Sequence, residues 1–217
     1  MWKNLFSCGS IKESPPAYQP TNEKTTICPQ PLASKKILSV PPIFLAEPKE
    51  TTDVSWYDNA GGLFLVHSAF LAHHSKLLCD MLGVSNQIAS AYDKRTCLLF
   101  FHLLYEEDIK SVTANASMAN VLSLWQLTAN YGMSFTNQCA WHVADTYIKR
   151  MATEDTLMDV MVCAQETKNE EIMQRTADRL AHLPNNFSGT SLHRLNDHSK
   201  DILICTLMHQ YGRPKHF

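Results

Sequence analysis

The amino-acid sequence predicts a helix-dominated α+β protein. Two short strand-like runs, Val54–Tyr57 and Leu63–Val66, flank a turn-forming segment at residues 58–62, which is typical of a β-hairpin. From His67 onward the apolar residues recur every three or four positions, which indicates amphipathic helices. A hairpin followed by a long series of helices favours an α+β fold in which helices dominate.

Residues 1–50 differ in composition from the rest of the chain. Most of the ten prolines lie there, separated by Ser, Thr, Lys and Glu, and the residues follow neither a helical nor a strand period. Such a composition cannot bury a core, so we expect a disordered, proline-rich tail. One apolar run within it, Ile43, Phe44 and Leu45, is compatible with a short strand.

Cap residues and glycine stops divide the residues after the hairpin into helices. A short helix is expected around residues 69–71. A second is expected from Lys76 to Leu82, because Ser75 can cap its start and Gly83 can end it.

The next segment, residues 84–92, is a polar connector in which a strand is poorly represented. Asp93 and Ser117 are then expected to cap two helices with apolar faces. Further helices are predicted near residues 137–150, 154–167, 169–182 and 199–210. The chain therefore divides into the tail (1–50), a hairpin-and-helix domain (51–150) and a helical extension (151–217).

Composition excludes several classes of protein. The net charge is −2 and the basic residues are scattered, so we expect no nucleic-acid partner. The sequence contains no run of about 18 apolar residues, so we expect no membrane span. Polar residues interrupt the apolar ones among the first six positions, so we expect no secretory leader there. Seven cysteines without a Cys-x-x-Cys pair, mostly among apolar residues, predict free thiols in the cytoplasm or nucleus.

The sequence contains few motifs typical of catalytic, cofactor-binding or metal-binding sites. It contains no Gly-x-Ser-x-Gly elbow and no phosphate-binding glycine loop, so we expect neither catalytic residues nor a cofactor. The candidate metal ligands lack paired spacing, and we expect no metal site; they are His67, His73, His74, Cys79, Cys205 and His209. A metal- or thiol-dependent enzyme is the alternative from another functional class.

The hairpin and the helices after it resemble the BTB/POZ family. Asp53 precedes the hairpin, and residues 66–82 read VHSAFLAHHSKLLCDML, which is similar to the family signature of a histidine, a Leu-Ala pair, a serine and a short helix. Residues 101–105 (FHLLY), 122–133 (LSLWQLTANYGM) and 137–139 (NQC) resemble the third, fourth and fifth helices of that family. Residues after 153 are similar to the helical extension that often follows it.

The resemblance implies a non-catalytic module that self-associates, as a homodimer or with related BTB proteins, and recruits partner proteins. The implied dimer interface contains Asp53, Phe70, Leu71, His74, Leu77, Leu78 and Met81. The implied partner surface contains Val84, Asn86, Ile88, Glu106, Glu107 and Asp108. The family often has a basic residue where this chain has His74, whose charge would depend on pH.

A substrate adaptor of a cullin-type ubiquitin ligase is the alternative among binding proteins. Cullin-binding members of the family often carry an apolar-x-Glu pattern in the connector. The corresponding triplets here, Val84-Ser85-Asn86 and Ile88-Ala89-Ser90, contain no glutamate.

The tail carries one binding motif. Pro15-Pro16-Ala17-Tyr18 has the Pro-Pro-x-Tyr form that WW domains bind. The two prolines favour the extended polyproline helix before binding, which reduces the entropy lost on docking, and Tyr18 supplies a second anchor. A WW-domain protein is therefore a further expected partner.

Overall fold

The computed structural model describes residues 52–105, 107–150, 153–183 and 191–211. In these ranges the protein is helix-dominated α+β, with a small mixed sheet followed by helices, as predicted. The predicted disordered tail, the strand at residues 43–45 and the motif at residues 15–18 lie outside the described residues.

Three strands form the sheet in the order β2-β1-β3. The predicted hairpin is confirmed: β1 (Val54–Tyr57) pairs antiparallel with β2 (Leu63–Val66). The third strand, β3 (Gln87–Ala89), pairs parallel with β1. The alternating burial of β1 places Val54 and Trp56 in the core and leaves Ser55 and Tyr57 half-exposed.

The hairpin turn is set by Asp58. Its buried carboxylate accepts hydrogen bonds from the backbone N–H of Ala60 (2.9 Å) and of Gly62 (2.6 Å). Gly61 has a φ of +83°, which glycine adopts without steric cost. At Gly62 a side-chain carbon would collide with the Asp58 carboxylate. The Asp-x-x-Gly-Gly sequence therefore fixes the register of the two strands.

The sequence of the connector represents a strand poorly, yet the structure contains one there. β3 lies inside it, where Ser55 N–H donates to the carbonyl of Asn86 (2.9 Å) and Ser90 N–H donates to that of Tyr57 (2.8 Å). Only Ile88 of its three residues is buried. A single inward residue gives no alternating pattern, so pairing with β1 determines this strand.

Five helices follow or surround these strands in the first half of the chain. Ser75, Asp93 and Ser117 act as N-caps as predicted, and accept hydrogen bonds from Leu78, Thr96 and Asn120 backbone N–H groups. The bounds are α1 (Ser68–His74), α2 (Lys76–Leu82), α3 (Lys94–Leu104), α4 (Ile109–Thr113) and α5 (Met118–Asn130). α4 was not predicted, because five residues are too few to show a helical period.

Within the described residues, every regular element of the second half is a helix or a helical turn. The helix predicted at 137–150 is present, but its second part is a turn of π-helix, Ala144–Ile148. The other predicted helices are confirmed within a few residues. The bounds are α6 (Thr136–Val143), α7 (Glu154–Glu166), α8 (Glu170–Ala181) and α9 (Asp197–Tyr211), with a 3-10 turn at Leu192–Arg194.

A single continuous core connects the sheet with both halves of the chain. At its centre the Trp56 ring lies 5.4 Å from that of Phe100 and 5.1 Å from that of Tyr131. α7 packs on α5, where the Cys163 thiol donates to the carbonyl of Leu122 (3.6 Å). The helical extension therefore shares its core with the hairpin-and-helix part.

The expectation of free thiols holds for four cysteines and fails for a fifth. Cys97, Cys139 and Cys163 are buried and free, and Cys205 is exposed and free. Cys79, which is half-buried on α2, is disulfide-bonded.

Candidate functional site

One face of α2 exposes large apolar side chains. Leu77 is 47% exposed, Met81 37% and Val84, just beyond the helix, 91%. Spacings of four and three residues place them along one side of the helix and its continuation. We call these three residues the α2 face. Three of the seven exposed large apolar side chains in the described residues thus lie within eight positions.

The opposite side of α2 anchors the helix to the core. Leu78 has no exposed surface, and Ser75 is buried beside it. The Ser75 hydroxyl accepts from Leu78 N–H (3.0 Å) and donates to the carbonyl of Tyr131, after α5. α2 is therefore held rigidly, with its apolar outer face toward solvent.

The structure divides the predicted dimer residues into two groups. Leu77 and Met81 belong to the α2 face. Leu71 and Leu78 are fully buried inside the chain, so their assignment to an interface is corrected: they are core residues that no second molecule can reach. Phe70 is half-buried, and its ring lies 4.7 Å from that of Tyr105.

Asp53 and His74 hold neighbouring segments together. The Asp53 carboxylate accepts from Ser68 N–H (2.7 Å) and from the Ser68 hydroxyl (2.5 Å), so it joins β1 to the first turn of α1. His74 Nδ1 lies 2.8 Å from the Ser134 hydroxyl, and its ring lies 5.3 Å from that of Phe135. His74 therefore fixes the end of α1 to the α5–α6 connection.

The predicted partner surface is only partly available. Ile88 is 2% exposed within β3, so its assignment to this surface is corrected: it is a core residue. Asn86 is exposed. Glu107 is exposed and its carboxylate lies 2.7 Å from His102 Nδ1, while Asp108 caps α4. Glu106 lies outside the described residues.

A groove that the sequence did not predict runs between α4 and the α6–π-turn segment. Its volume is about 730 Å³, and its walls include Ile109, Met118, Trp141, His142, Tyr147 and Arg150. His142 Nε2 lies 2.8 Å from the Thr113 hydroxyl, and burial lowers the pKa of His142. The groove was missed because both elements that form it, α4 and the π turn, leave no periodic signal.

Arg175 of α8 stacks on the ring of Trp141, a residue of the groove wall, at 4.2 Å from the centroid. A cation over a tryptophan face is a stabilising contact. It connects the extension to α6 and limits how far the indole can move.

The polar residues near α1 form structural contacts. His67 Nδ1 lies 2.7 Å from the Tyr105 hydroxyl. Burial lowers the pKa of His67, which Asp53 opposes, and raises the pKa of Tyr105 to about 12. The Ser68 hydroxyl donates to the Asp53 carboxylate, which joins α1 to the start of β1.

Within the described residues, no three His, Cys, Asp or Glu side chains lie close enough together to hold a metal ion. Among the helices of the same ranges, none is both long and apolar enough to cross a bilayer.

Comparison with family models and with curated proteins finds no match to this chain.

Proposed function

We propose that this protein is a non-catalytic interaction module that self-associates through the α2 face and recruits other proteins as a dimer. The observation that carries the proposal is the clustering of Leu77, Met81 and Val84 on one side of a short, well-anchored helix. Single exposed apolar residues are common on protein surfaces, whereas a contiguous group marks an interaction site.

The charges on α2 favour a second copy of the chain as the occupant. Lys76 and Asp80 are both exposed and stand one turn apart. In a two-fold dimer each patch meets its own copy. An axis near residue 78 would bring Lys76 of one protomer beside Asp80 of the other, with opposite charges at both ends of the apolar contact.

A stable interface needs more surface than three side chains provide. Typical specific interfaces bury about 1,200–2,000 Å² in total. The exposed side of α1, with Ala69 and His73, adjoins the α2 face and would extend it. The BTB/POZ resemblance supports the same location, since it implies a dimer interface along residues 70–82.

The proposal is tested by charging the α2 face. Leu77→Glu places an ionised carboxylate inside the apolar contact, which is costly without a partner charge. Ile204→Glu on α9 is the matched control, because Ile204 is 46% exposed against 47% for Leu77. Light scattering of the full chain, with and without reductant, should give a dimer for the unmodified protein and for Ile204→Glu, and a monomer for Leu77→Glu.

A charge reversal tests the geometry of the dimer. Lys76→Glu or Asp80→Lys alone should raise the dissociation constant roughly fivefold, because either change breaks both exposed pairs of the dimer and each contributes on the order of 0.5 kcal/mol. The double variant should restore it. A monomeric unmodified protein at micromolar concentration, or a dimer that survives Leu77→Glu, would refute the proposal. Failure of the double variant to recover would refute the antiparallel α2 pairing.

A further inference from the structure

The groove between α4 and the α6–π-turn segment has the size of a small-molecule site. Its volume is about 730 Å³, within the roughly 300–1,000 Å³ that is typical of ligand pockets. A specific protein–protein contact buries about 800 Å² on each partner, which is more surface than a groove bounded on one side by a five-residue helix offers. The dimensions therefore favour a small ligand over a protein segment.

The walls of the groove are apolar and partly aromatic. Ile109 of α4 and Met118, the first residue of α5, are half-buried. Across from them, Tyr147 is buried and Trp141 is 38% exposed. Arg175 covers one face of the Trp141 ring. Because this contact restrains the indole, a ligand that packs on it immobilises little additional side-chain motion. The walls thus suit a flat apolar body.

Positive charge predominates along the rim of the groove. Lys110 and Arg150 are exposed lining residues, and within the described residues neither forms an ion pair. The one carboxylate of the lining, that of Asp145, is paired with Lys149 (2.5 Å). Lys149, and to a smaller extent Lys110 and Arg150, lower the pKa of Asp145. Lys110 and Arg150 therefore lie close enough together to act on one anion.

The other polar groups around the groove are already engaged. The Thr113 hydroxyl donates to the carbonyl of Ile109 (2.7 Å) and lies 2.8 Å from His142 Nε2. Burial lowers the pKa of His142, so this side chain is largely uncharged at neutral pH. The Asp108 carboxylate, at the start of α4, accepts from two backbone N–H groups of that helix. The positive charge that a ligand meets is therefore that of the two unpaired rim cations.

We infer that the groove binds a small organic carboxylate with a flat apolar body. The apolar part packs against Trp141 and Met118, and the carboxylate pairs with Lys110 and Arg150. A guanidinium can hold a carboxylate through two parallel hydrogen bonds, and an ammonium adds a compact charge. No residue of the α2 face lines the groove, so the inference does not rest on the proposed dimer.

Calorimetric titration of the full chain with indolepropionate and with its uncharged amide tests the inference. The two compounds share one aromatic body and differ in charge. The carboxylate should bind roughly tenfold more tightly than the amide, because only the carboxylate pairs with both cations. Lys110→Gln and Arg150→Gln should each weaken binding of the carboxylate roughly twofold to fivefold and leave binding of the amide unchanged. Lys200→Gln removes a charge from α9, outside the groove, and should affect neither compound.

Nuclear magnetic resonance locates the bound compound. The indole N–H signal of Trp141, assigned by its loss in Trp141→Phe, should shift on titration with indolepropionate, whereas those of the buried Trp56 and Trp125 should not. Equal affinity for the acid and the amide, or an affinity for the acid that survives the loss of both cations, would overturn the inference. An unshifted Trp141 signal would do the same. Binding of neither compound at millimolar concentration would also overturn it and would leave the groove to a protein segment.

Discussion

At the scale of single residues, two half-buried histidines have pKa values that differ between the folded and the unfolded chain. His67 and His142 each lie against a hydroxyl, Tyr105 and Thr113 respectively. For both, burial lowers the pKa below the usual 6.5. Nearby carboxylates raise the pKa, but their effect is smaller than that of burial. The folded protein therefore binds protons less readily at these positions than the unfolded chain does.

This predicts a loss of stability on acidification. An unfolded histidine titrates near pH 6.5 and the folded ones at lower pH, so stability is fully present above about pH 6.5 and falls as the pH decreases through the folded values. Thermal unfolding should show a melting temperature that declines from about pH 7 to about pH 5.5. The decline should be smaller in His67→Gln than in the unmodified protein; equal slopes in the two would contradict the prediction.

At the scale of elements, α2 depends on one serine for its position. Ser75 caps the helix through Leu78 N–H and also ties it to Tyr131. Short helices have little stability of their own and depend on caps and packing. The orientation of the α2 face therefore follows from this buried hydroxyl as well as from Leu78.

We predict that Ser75→Ala lowers the free energy of unfolding by about 1–2 kcal/mol, the usual effect of losing an N-cap. It should also weaken the dimer, because α2 is no longer held in one orientation. Urea denaturation measures the first effect and sedimentation the second. Ser111→Ala, at an exposed site of α4, is the control and should change neither. A dimer unaffected by Ser75→Ala would mean that α2 is positioned by its apolar contacts alone.

Elements with strong local signals were predictable, and the others were not. The hairpin follows from two apolar runs and an Asp-x-x-Gly-Gly turn, and the caps at Ser75, Asp93 and Ser117 follow from residue type alone. β3, α4 and the π turn have three to five residues each. Elements this short contain less than two periods of any pattern, so only their packing partners determine them.

At the scale of the whole molecule, the core is continuous from the sheet to α9. Leu157 of α7 is fully buried in that core, next to the helices that pack on the sheet. Because the two halves share apolar contacts, neither can unfold without exposing the core of the other. The described residues should therefore unfold as one cooperative unit.

We predict that Leu157→Ala lowers the free energy of unfolding by about 2–5 kcal/mol, the range for a buried leucine. Tryptophan fluorescence, to which the buried Trp56 and Trp125 contribute along with the two other tryptophans of the chain, and far-ultraviolet circular dichroism should shift together. Ile204→Ala, at an exposed site, should change stability by less than about 0.5 kcal/mol. Two separate transitions, with only the circular dichroism affected by Leu157→Ala, would show that the extension folds independently.

The sequence by itself determined the helix-dominated α+β class, the hairpin, the main helices and their caps, because these depend on local periodicity and on side chains that bond to nearby backbone. Self-association along residues 70–82 is a prediction that comes from the BTB/POZ resemblance. Only the tertiary structure decided which of those residues are available. Leu71 and Leu78 are large apolar residues like Leu77 and Met81, but they lie in the core while the latter two face solvent. Burial depends on which elements pack together, and that depends on contacts between residues far apart in the chain.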